Sequence, residues 1–311
     1  MEMPELPRER RSVPRTITPL SVPAVDVAGL LRFPLAQRAL EELVRSALQE
    51  DCAFNDLTTI ATVVSDRRTH ATLRARQTGV VCGVPLALEA FRQLDPKVAI
   101  RVEHEDGSLV HTGDPVLFVT GHVRGLLSAE RVALNYMQRL SAIASITARY
   151  VDAIEGTAAK ILDTRKTTPG WRTLEKYAVR AGGGTNHRLN LSTGVLIKDN
   201  HLAALDGDVA LAVRRARELA PSGTQIEVEC DSVAQVEQAT LAAADVILLD
   251  NMPPAMLTEC VRLVAGRAIL EASGGVTLAT VRAIAETGVD WISVGALTHS
   301  PPAMDLALDF E

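Results

Sequence analysis

Aromatic side chains make up only 3% of this 311-residue chain, so the core it builds has to be aliphatic. Apolar residues at 47% are ample for one large domain or two ordinary ones. Cysteines are few and scattered: Cys52, Cys82, Cys230 and Cys260 have no CxxC spacing, which excludes a structural zinc site or a disulfide framework and leaves reduced, mostly buried thiols. No apolar run approaches the ~20 residues of a membrane span, so no membrane partner is expected. No P-loop and no GxGxxG occurs, which leaves ATP or NAD unsupported as cosubstrate. A broad basic surface is also missing, because the formal net charge is -6, and this argues against nucleic acid as a partner. The Arg- and Pro-rich N-terminus lacks the apolar segment of a secretory leader, and a cytoplasmic location is expected.

Against that acidic background stands one basic island, from Ile161 to His201. It holds Arg165, Lys166, Arg172, Lys176, Arg180, His187, Arg188 and Lys198, with Asp163, Glu175 and Asp199 as its acids. A local cluster of this kind suits a small anionic ligand. Two stretches, DTRKTT and LIKDN, come after β-prone apolar residues and deliver a cation just past a strand end, where open α/β sheets and barrels place their ligands.

In chain order, prolines 4, 7, 14, 19 and 23 break residues 1–27 into an expected mobile arm. Leu35, Ala39, Leu43, Ala47 and Leu48 recur at helical spacing up to Glu50-Asp51. Short strand patterns (HATLRARQ, VAIRVEHE, DPVLFVTGHV) occupy the span between Thr69 and Gly121, with a helix from Pro85 to Leu94. A long helical pattern then runs from Ser128, a candidate N-cap, to Ile154. After it the rhythm becomes strand-then-helix, with apolar runs at Lys160–Leu162, Val195–Ile197, Ile226–Val228, Val246–Leu249, Ile269–Leu270 and Ile292–Val294. The expected fold is α/β: a sandwich-like α+β domain over residues 28–135, joined by 297–311, and an incomplete parallel α/β barrel of six or seven strands over 136–296. A complete eight-stranded barrel needs about 250 residues, more than this segment offers.

The polar and glycine residues at the ends of these strands are Arg165 and Lys166, Lys198, Glu229, Asp250, Ser273-Gly274-Gly275 and Gly295-Ala296, which a parallel barrel gathers on one face. The paired glycine loops of the last two strands suit a phosphate group held by backbone N–H groups. Glu229 and Asp250, on neighbouring strands, can hold ribose hydroxyls or Mg²⁺, with Glu227 a competitor for Glu229 because it points to the same strand face. Arg172, Lys176 and Arg180, four apart, read as one solvated helix face.

The stretches DTRKTTPG, LEKYAVRAGGGTNHR and LIKDNH, with further pieces from ALQED to VGALTHS, closely resemble the quinolinate phosphoribosyltransferase family over most of the chain. The resemblance implies a transferase of NAD biosynthesis that joins quinolinate to 5-phosphoribosyl 1-diphosphate with Mg²⁺, releasing diphosphate and CO₂. It implies catalytic roles for Lys166, Glu229 and Asp250, with Glu229 and Asp250 as metal ligands. Substrate contacts fall to Arg131, Thr164, Arg165, Lys166, His187, Arg188, Lys198, Glu229 and Asp250, and phosphate contacts to Ser273, Gly274, Gly275, Val294, Gly295 and Ala296. It further implies a homodimer in which Arg131 serves the neighbouring subunit's site. The chain departs from the family pattern at Asn55, where glycine is usual and a left-handed turn is expected, and at Asn190 and Ser192-Thr193. Ser145 and Ala142 look like small changes of little consequence. Three alternatives stay open: a related transferase with another base (a molybdenum-transport-associated paralogue or a nicotinate-type enzyme), a Schiff-base barrel lyase, and a non-catalytic dicarboxylate sensor.

Overall fold

The computed structural model describes residues 31–311, so the expected arm, residues 1–27, lies outside them. Helix α1, Gln37–Glu50, buries Leu40, Val44 and Leu48 at four-residue spacing, the apolar stripe that docks it. The turn after it corrects one expectation. The left-handed residue is Cys52 (φ 51°), and Asn55 belongs to a short 3-10 turn, Ala53–Asn55. Asp56 caps α2, Leu57–Thr62, accepting from the Thr59 N–H at 3.0 Å.

The first half of the chain continues with β1 (Arg68–Ala75), β2 (Gly79–Val80), α3 (Val84–Leu94), β3 (Ala99–Val102), β4 (Leu109–Val110) and β5 (Pro115–His122). Strands β1, β5 and β3 pair antiparallel. The 31-residue helix α4, Val123–Ala153, then runs across the expected 135/136 boundary. It starts five residues before Ser128, whose hydroxyl is not a cap but donates to Asp56 at 3.0 Å. Two more of its serines satisfy backbone donors that no strand partner reaches. The Cys82 N–H donates to Ser141 Oγ at 2.9 Å and the Val80 N–H to Ser145 Oγ at 2.8 Å, so Ser145 is a fixed part of the packing.

The second half comprises β6 (Lys160–Leu162), α5 (Arg172–Ala181), β7 (Val195–Ile197), β8 (Ile226–Cys230), β9 (Val246–Asp250), β10 (Ile269–Ser273) and β11 (Trp291–Ser293). The six apolar runs of the sequence are these six strands, all parallel, in the order β6-β11-β10-β9-β8-β7. The last strand, β12 (Leu306–Phe310), returns to pair antiparallel with β1, so residues 306–310 belong to the first half's sheet.

The barrel is not closed: β6 and β7, consecutive in the chain, are the two edges of the sheet. The segment after α5 fills the seam, bridging Thr185 to Leu162 in parallel fashion. Glycine lets it approach. A Cβ at Gly182 would lie 2.2 Å from the Ala144 carbonyl oxygen of α4, and one at Gly184 would lie 2.7 Å from Thr147 and Val179 side chains. Gly182→Ala should therefore force α4 and the seam segment apart, with a loss of about 1–3 kcal/mol in urea unfolding. The same substitution at Gly170, where nothing lies nearby and φ is +80°, should cost only the left-handed backbone strain, of order 1 kcal/mol.

Candidate active site

The C-terminal ends of the barrel strands surround a cavity of about 600 Å³. Its wall carries Thr164, Arg165 and Lys166 after β6, Lys198 after β7, Glu229 on β8, Asp250 and Asn251 at the end of β9, and Ser273, Gly274 and Gly275 at the end of β10. Alternation along each strand explains the grouping, because Glu227 and Glu229, Leu248 and Asp250, Glu271 and Ser273 are i, i+2 pairs that share the inner face. Lys198 Nζ lies 2.6 Å from Glu229 Oε2, and Asn251 Nδ2 donates to Asp250 Oδ2 at 2.8 Å. Asn251 also shapes the glycine loop. It is left-handed (φ 54°), its N–H donates to the Ser273 carbonyl at 2.9 Å, and its side chain occupies the space that a Cβ at Gly274 would need.

The loop that presents Arg165 and Lys166 is held from beneath. Asp163, fully buried, accepts from Lys176 Nζ, from Asn186 Nδ2 at 2.6 Å and from the His187 N–H at 2.9 Å. Lys176 also donates to the His187 carbonyl at 3.0 Å. This corrects the reading of Lys176 as solvated: its side chain is 4% exposed. Burial pushes the Asp163 carboxyl up and the Lys176 ammonium down, each opposed by its partner. Arg172 and Arg180, on the same helix, are half-buried. A second tie comes from α4. Arg139 Nη2 lies 2.7 Å from the buried Glu175, which also accepts from the Thr168 N–H (3.0 Å) and hydroxyl (2.9 Å). Thr298 Oγ1 donates to the Lys166 carbonyl at 2.9 Å.

His187 reaches inward from the seam. Its Nε2 lies 3.2 Å from Glu227 Oε2 and 3.3 Å from Glu271 Oε2, and Ser293 Oγ donates to Glu271 Oε1 at 2.5 Å. The three ligand-type atoms are close enough together for a metal ion. The other ring nitrogen decides against one: the Arg188 N–H donates to Nδ1 at 2.7 Å, so the ring's proton sits on Nε2, and a protonated nitrogen does not ligate metal. Burial lowers the affinity of this ring for protons, and the negative charges of Glu227 and Glu271 raise it. A second ring proton would face the Arg188 N–H. The geometry therefore puts the extra proton on the carboxylate side, where burial raises the Glu227 carboxyl.

Among the other expected residues, His187 and Arg188 line the cavity, whereas Val294, Gly295 and Ala296 come after β11 at the same end but are not on its wall. Gly295 leaves room for Lys166, whose Cδ would lie 3.1 Å from a Cβ there. Arg131 is exposed on α4 and is not on this chain's cavity wall. Sequence reasoning missed Asp163, Asn251, Glu271 and Ser293. Asp163 had a signal, an acid directly after a strand and in front of two cations. Glu271 had one too, an acid inside an apolar barrel strand.

Fold and site together define a class: an unclosed parallel α/β-barrel enzyme whose strand ends gather cations around one cavity. The family description "Quinolinate phosphoribosyl transferase, N-terminal domain" matches residues 56–141, and its C-terminal counterpart matches residues 143–309. The nicotinate-nucleotide pyrophosphorylase [carboxylating] of Mycobacterium leprae is 44% identical over 279 residues, 87% of this chain and 97% of that protein. Quinolinate phosphoribosyltransferase [decarboxylating] 2b of Nicotiana tabacum is 40% identical over 291 residues, 88% of this chain and 82% of that one. The solved nicotinate-nucleotide pyrophosphorylase of Francisella tularensis superposes with a TM-score of 0.84 at 38% identity, covering 90% of this chain and 98% of that one. The chain belongs to the quinolinate phosphoribosyl transferase family.

The buried Asp163–Lys176 pair yields a stability prediction. Lys176→Ala leaves an unmatched buried carboxylate, and urea unfolding should show a loss of about 3–5 kcal/mol. A loss below about 1 kcal/mol, the range of a surface pair, would return Lys176 to the solvated face.

Proposed function

We propose that this protein transfers the phosphoribosyl group of 5-phosphoribosyl 1-diphosphate to quinolinate, giving nicotinate mononucleotide, diphosphate and CO₂. The observation that carries the reading is Arg165. Its Nε is buried and has no hydrogen-bond partner among the described residues, in a cavity that also presents Lys166, Arg188 and Lys198. A buried guanidinium donor left open costs free energy unless a ligand oxygen fills it, and planar arginine forks suit carboxylate. The names of the relatives agree with a pyridine dicarboxylate as that ligand.

In the reaction the pyridine nitrogen attacks C1 of the ribose as the bond to diphosphate breaks, and positive charge builds on the sugar. Glu229 and Asp250 face that centre from adjacent strand ends, and the loop Ser273-Gly274-Gly275 offers backbone N–H groups to the 5-phosphate. Loss of CO₂ from C2 then leaves negative charge on the ring, which Arg165 and Lys166 stabilise until a proton arrives. Glu229 and Asp250, two of the three carboxylates on the cavity wall, fit Mg²⁺, which takes one or two such ligands beside substrate oxygens, and the metal would screen the departing diphosphate. The Schiff-base alternative is disfavoured by Lys198, whose ammonium faces Glu229 as a charged anchor. A nicotinate-type transferase would leave one carboxylate's worth of cations unused.

The reading includes a homodimer with shared sites and a cytoplasmic location. Arg131 is exposed and away from its own chain's cavity, which supports its serving a second subunit. Close by, Phe54, Leu57, Ile60 and Val64 form an exposed apolar stripe, 46–74% accessible, on the turn and helix that Ser128 ties to α4. No described helix is long and apolar enough to cross a membrane.

Purified protein should form nicotinate mononucleotide from quinolinate only when a divalent metal is supplied, and chelation should abolish turnover. Product from nicotinate but not quinolinate would overturn the dicarboxylate reading, and binding without diphosphate release would favour the sensor. For the assembly, Arg131→Ala should cost about 1.5–3 kcal/mol, seen mainly in quinolinate affinity. Mixing Arg131→Ala and Lys166→Ala proteins, at a quinolinate concentration too low for either to turn over alone, should restore a fraction of wild-type activity. Continued inactivity despite heterodimers seen by native mass spectrometry would place Arg131 in its own chain's site.

A further inference from the structure

The inner face of the barrel carries acids one step below its ligand-facing ends. Glu227 lies below Glu229 on β8, and Glu271 lies below Ser273 on β10. Glu271 is fully buried and Glu227 is 3% exposed. Barrel interiors are ordinarily filled by branched aliphatic side chains, so two buried acids here need a function. Both converge on His187, which does not come from a barrel strand but from the segment that plugs the seam between β6 and β7.

Both nitrogens of this imidazole face groups of the protein. Nε2 faces Glu227 and Glu271 at 3.2 and 3.3 Å, and Nδ1 accepts the Arg188 N–H at 2.7 Å. Neither acid makes a well-aligned hydrogen bond to Nε2, and Glu227 Oε1 and Glu271 Oε2 are buried without a hydrogen-bond partner among the described residues, so the contact of the ring with the two acids is electrostatic. Through Nδ1 the ring fixes its neighbour. The Arg188 backbone is set by the bond to Nδ1, and the Arg188 side chain by Nη1 donating to the Gly194 carbonyl at 3.1 Å. His187 and Arg188 also line a second cavity of about 320 Å³ on the seam side, together with Glu227, so this two-residue step is the partition between the two spaces. A partition between cavities has packing on neither side to hold it. Hydrogen bonds must do so.

We propose that Glu271 and Glu227 are positioning residues for substrate recognition: they clamp His187 from inside the barrel, and the clamped ring sets Arg188 at the cavity wall. Arg188, which lines the cavity, is the group whose placement depends on the ring. Ser293 holds the Glu271 end of the clamp at 2.5 Å, and Asp163 and Lys176 hold the main chain of His187. Glu229 and Asp250, proposed above to meet the diphosphate through the metal, are partnered by Lys198 and Asn251 and make no hydrogen bond to His187 or Arg188 among the described residues. Loss of the clamp should consequently fall on the dicarboxylate and spare diphosphate.

This proposal rests on the reading of the cavity as a pyridine dicarboxylate site, and the experiment separates the two. Quinolinate and inorganic diphosphate binding to the full-length protein are measured by calorimetry, for wild type, Glu271→Leu, Glu271→Gln, Arg188→Ala and the Arg188→Ala/Glu271→Leu double variant. Glu271→Leu should weaken quinolinate about tenfold, the size of one ordinary hydrogen bond, and diphosphate less than about threefold. Gln keeps an acceptor for Nε2–H and should retain most of the affinity. In the Arg188→Ala background the Leu substitution should add almost nothing, because residues acting through one another are not additive. Equal weakening of both ligands, or a full further loss in the Arg188→Ala background, would overturn the clamp. Ser293→Ala, a milder release of the same carboxylate, is read by the same criteria if Glu271→Leu does not fold. Amide exchange across residues 185–194 in the free protein needs no ligand: it should quicken in Glu271→Leu and not in Glu271→Gln, and equal exchange in wild type and Glu271→Leu would refute the clamp even if quinolinate proved not to be the ligand.

Discussion

Everything at the mouth of this barrel depends on the carboxylate of Asp163. It receives an ammonium from α5, an amide from Asn186 and a backbone N–H from His187, and it sits one residue before the loop of Arg165 and Lys166. A buried ion pair of this kind brings little net stability by itself, because desolvation offsets attraction. Its value is geometric. A single acid fixes a strand end, a helix and a seam segment relative to one another, which is what a site assembled from separate loops requires.

The charge layout obeys the same economy of parts. Cations that must stay available to a ligand stand at the strand ends, where Arg165 is left with an open donor and Lys198 is balanced by Glu229. Acids that would compete with an anionic ligand are kept a step lower and engaged by His187 and Ser293. The cations reach the mouth from the turns after β6 and β7, while the ends of β8 and β9 carry Glu229 and Asp250. The basic side of the mouth is the one made by β6 and β7.

Much of this was legible in the residues. The six barrel strands coincide with six apolar runs because parallel strands, buried on both faces, read as continuous hydrophobic stretches. The ligand-facing residues were legible because strand ends are where polar residues interrupt those runs. What stayed hidden was pairing across distance. Lys176 and Arg180 look alike on a helical wheel, and only the position of Asp163 on another element makes Lys176 a buried partner. Glu271 looked like a strand residue among others until the seam segment brought His187 to it. Ser128 fitted a cap by type, but α4 begins a turn earlier, where β5 runs directly into it.

The wiring of the two sheets bears on how such a chain can be made. The first barrel strand waits for the last, since Lys160 pairs with Trp291, and the antiparallel sheet waits longer still, since Ala71 pairs with Phe310. During synthesis, then, the barrel sheet cannot finish before β11 is made, nor the antiparallel sheet before β12. Contacts this distant in sequence carry a large loop-closure entropy and slow folding. The nascent chain carries an unsatisfied edge on β6 until β11 is made and another on β1 until β12 is made, and unpaired strand edges of this kind are templates for aggregation.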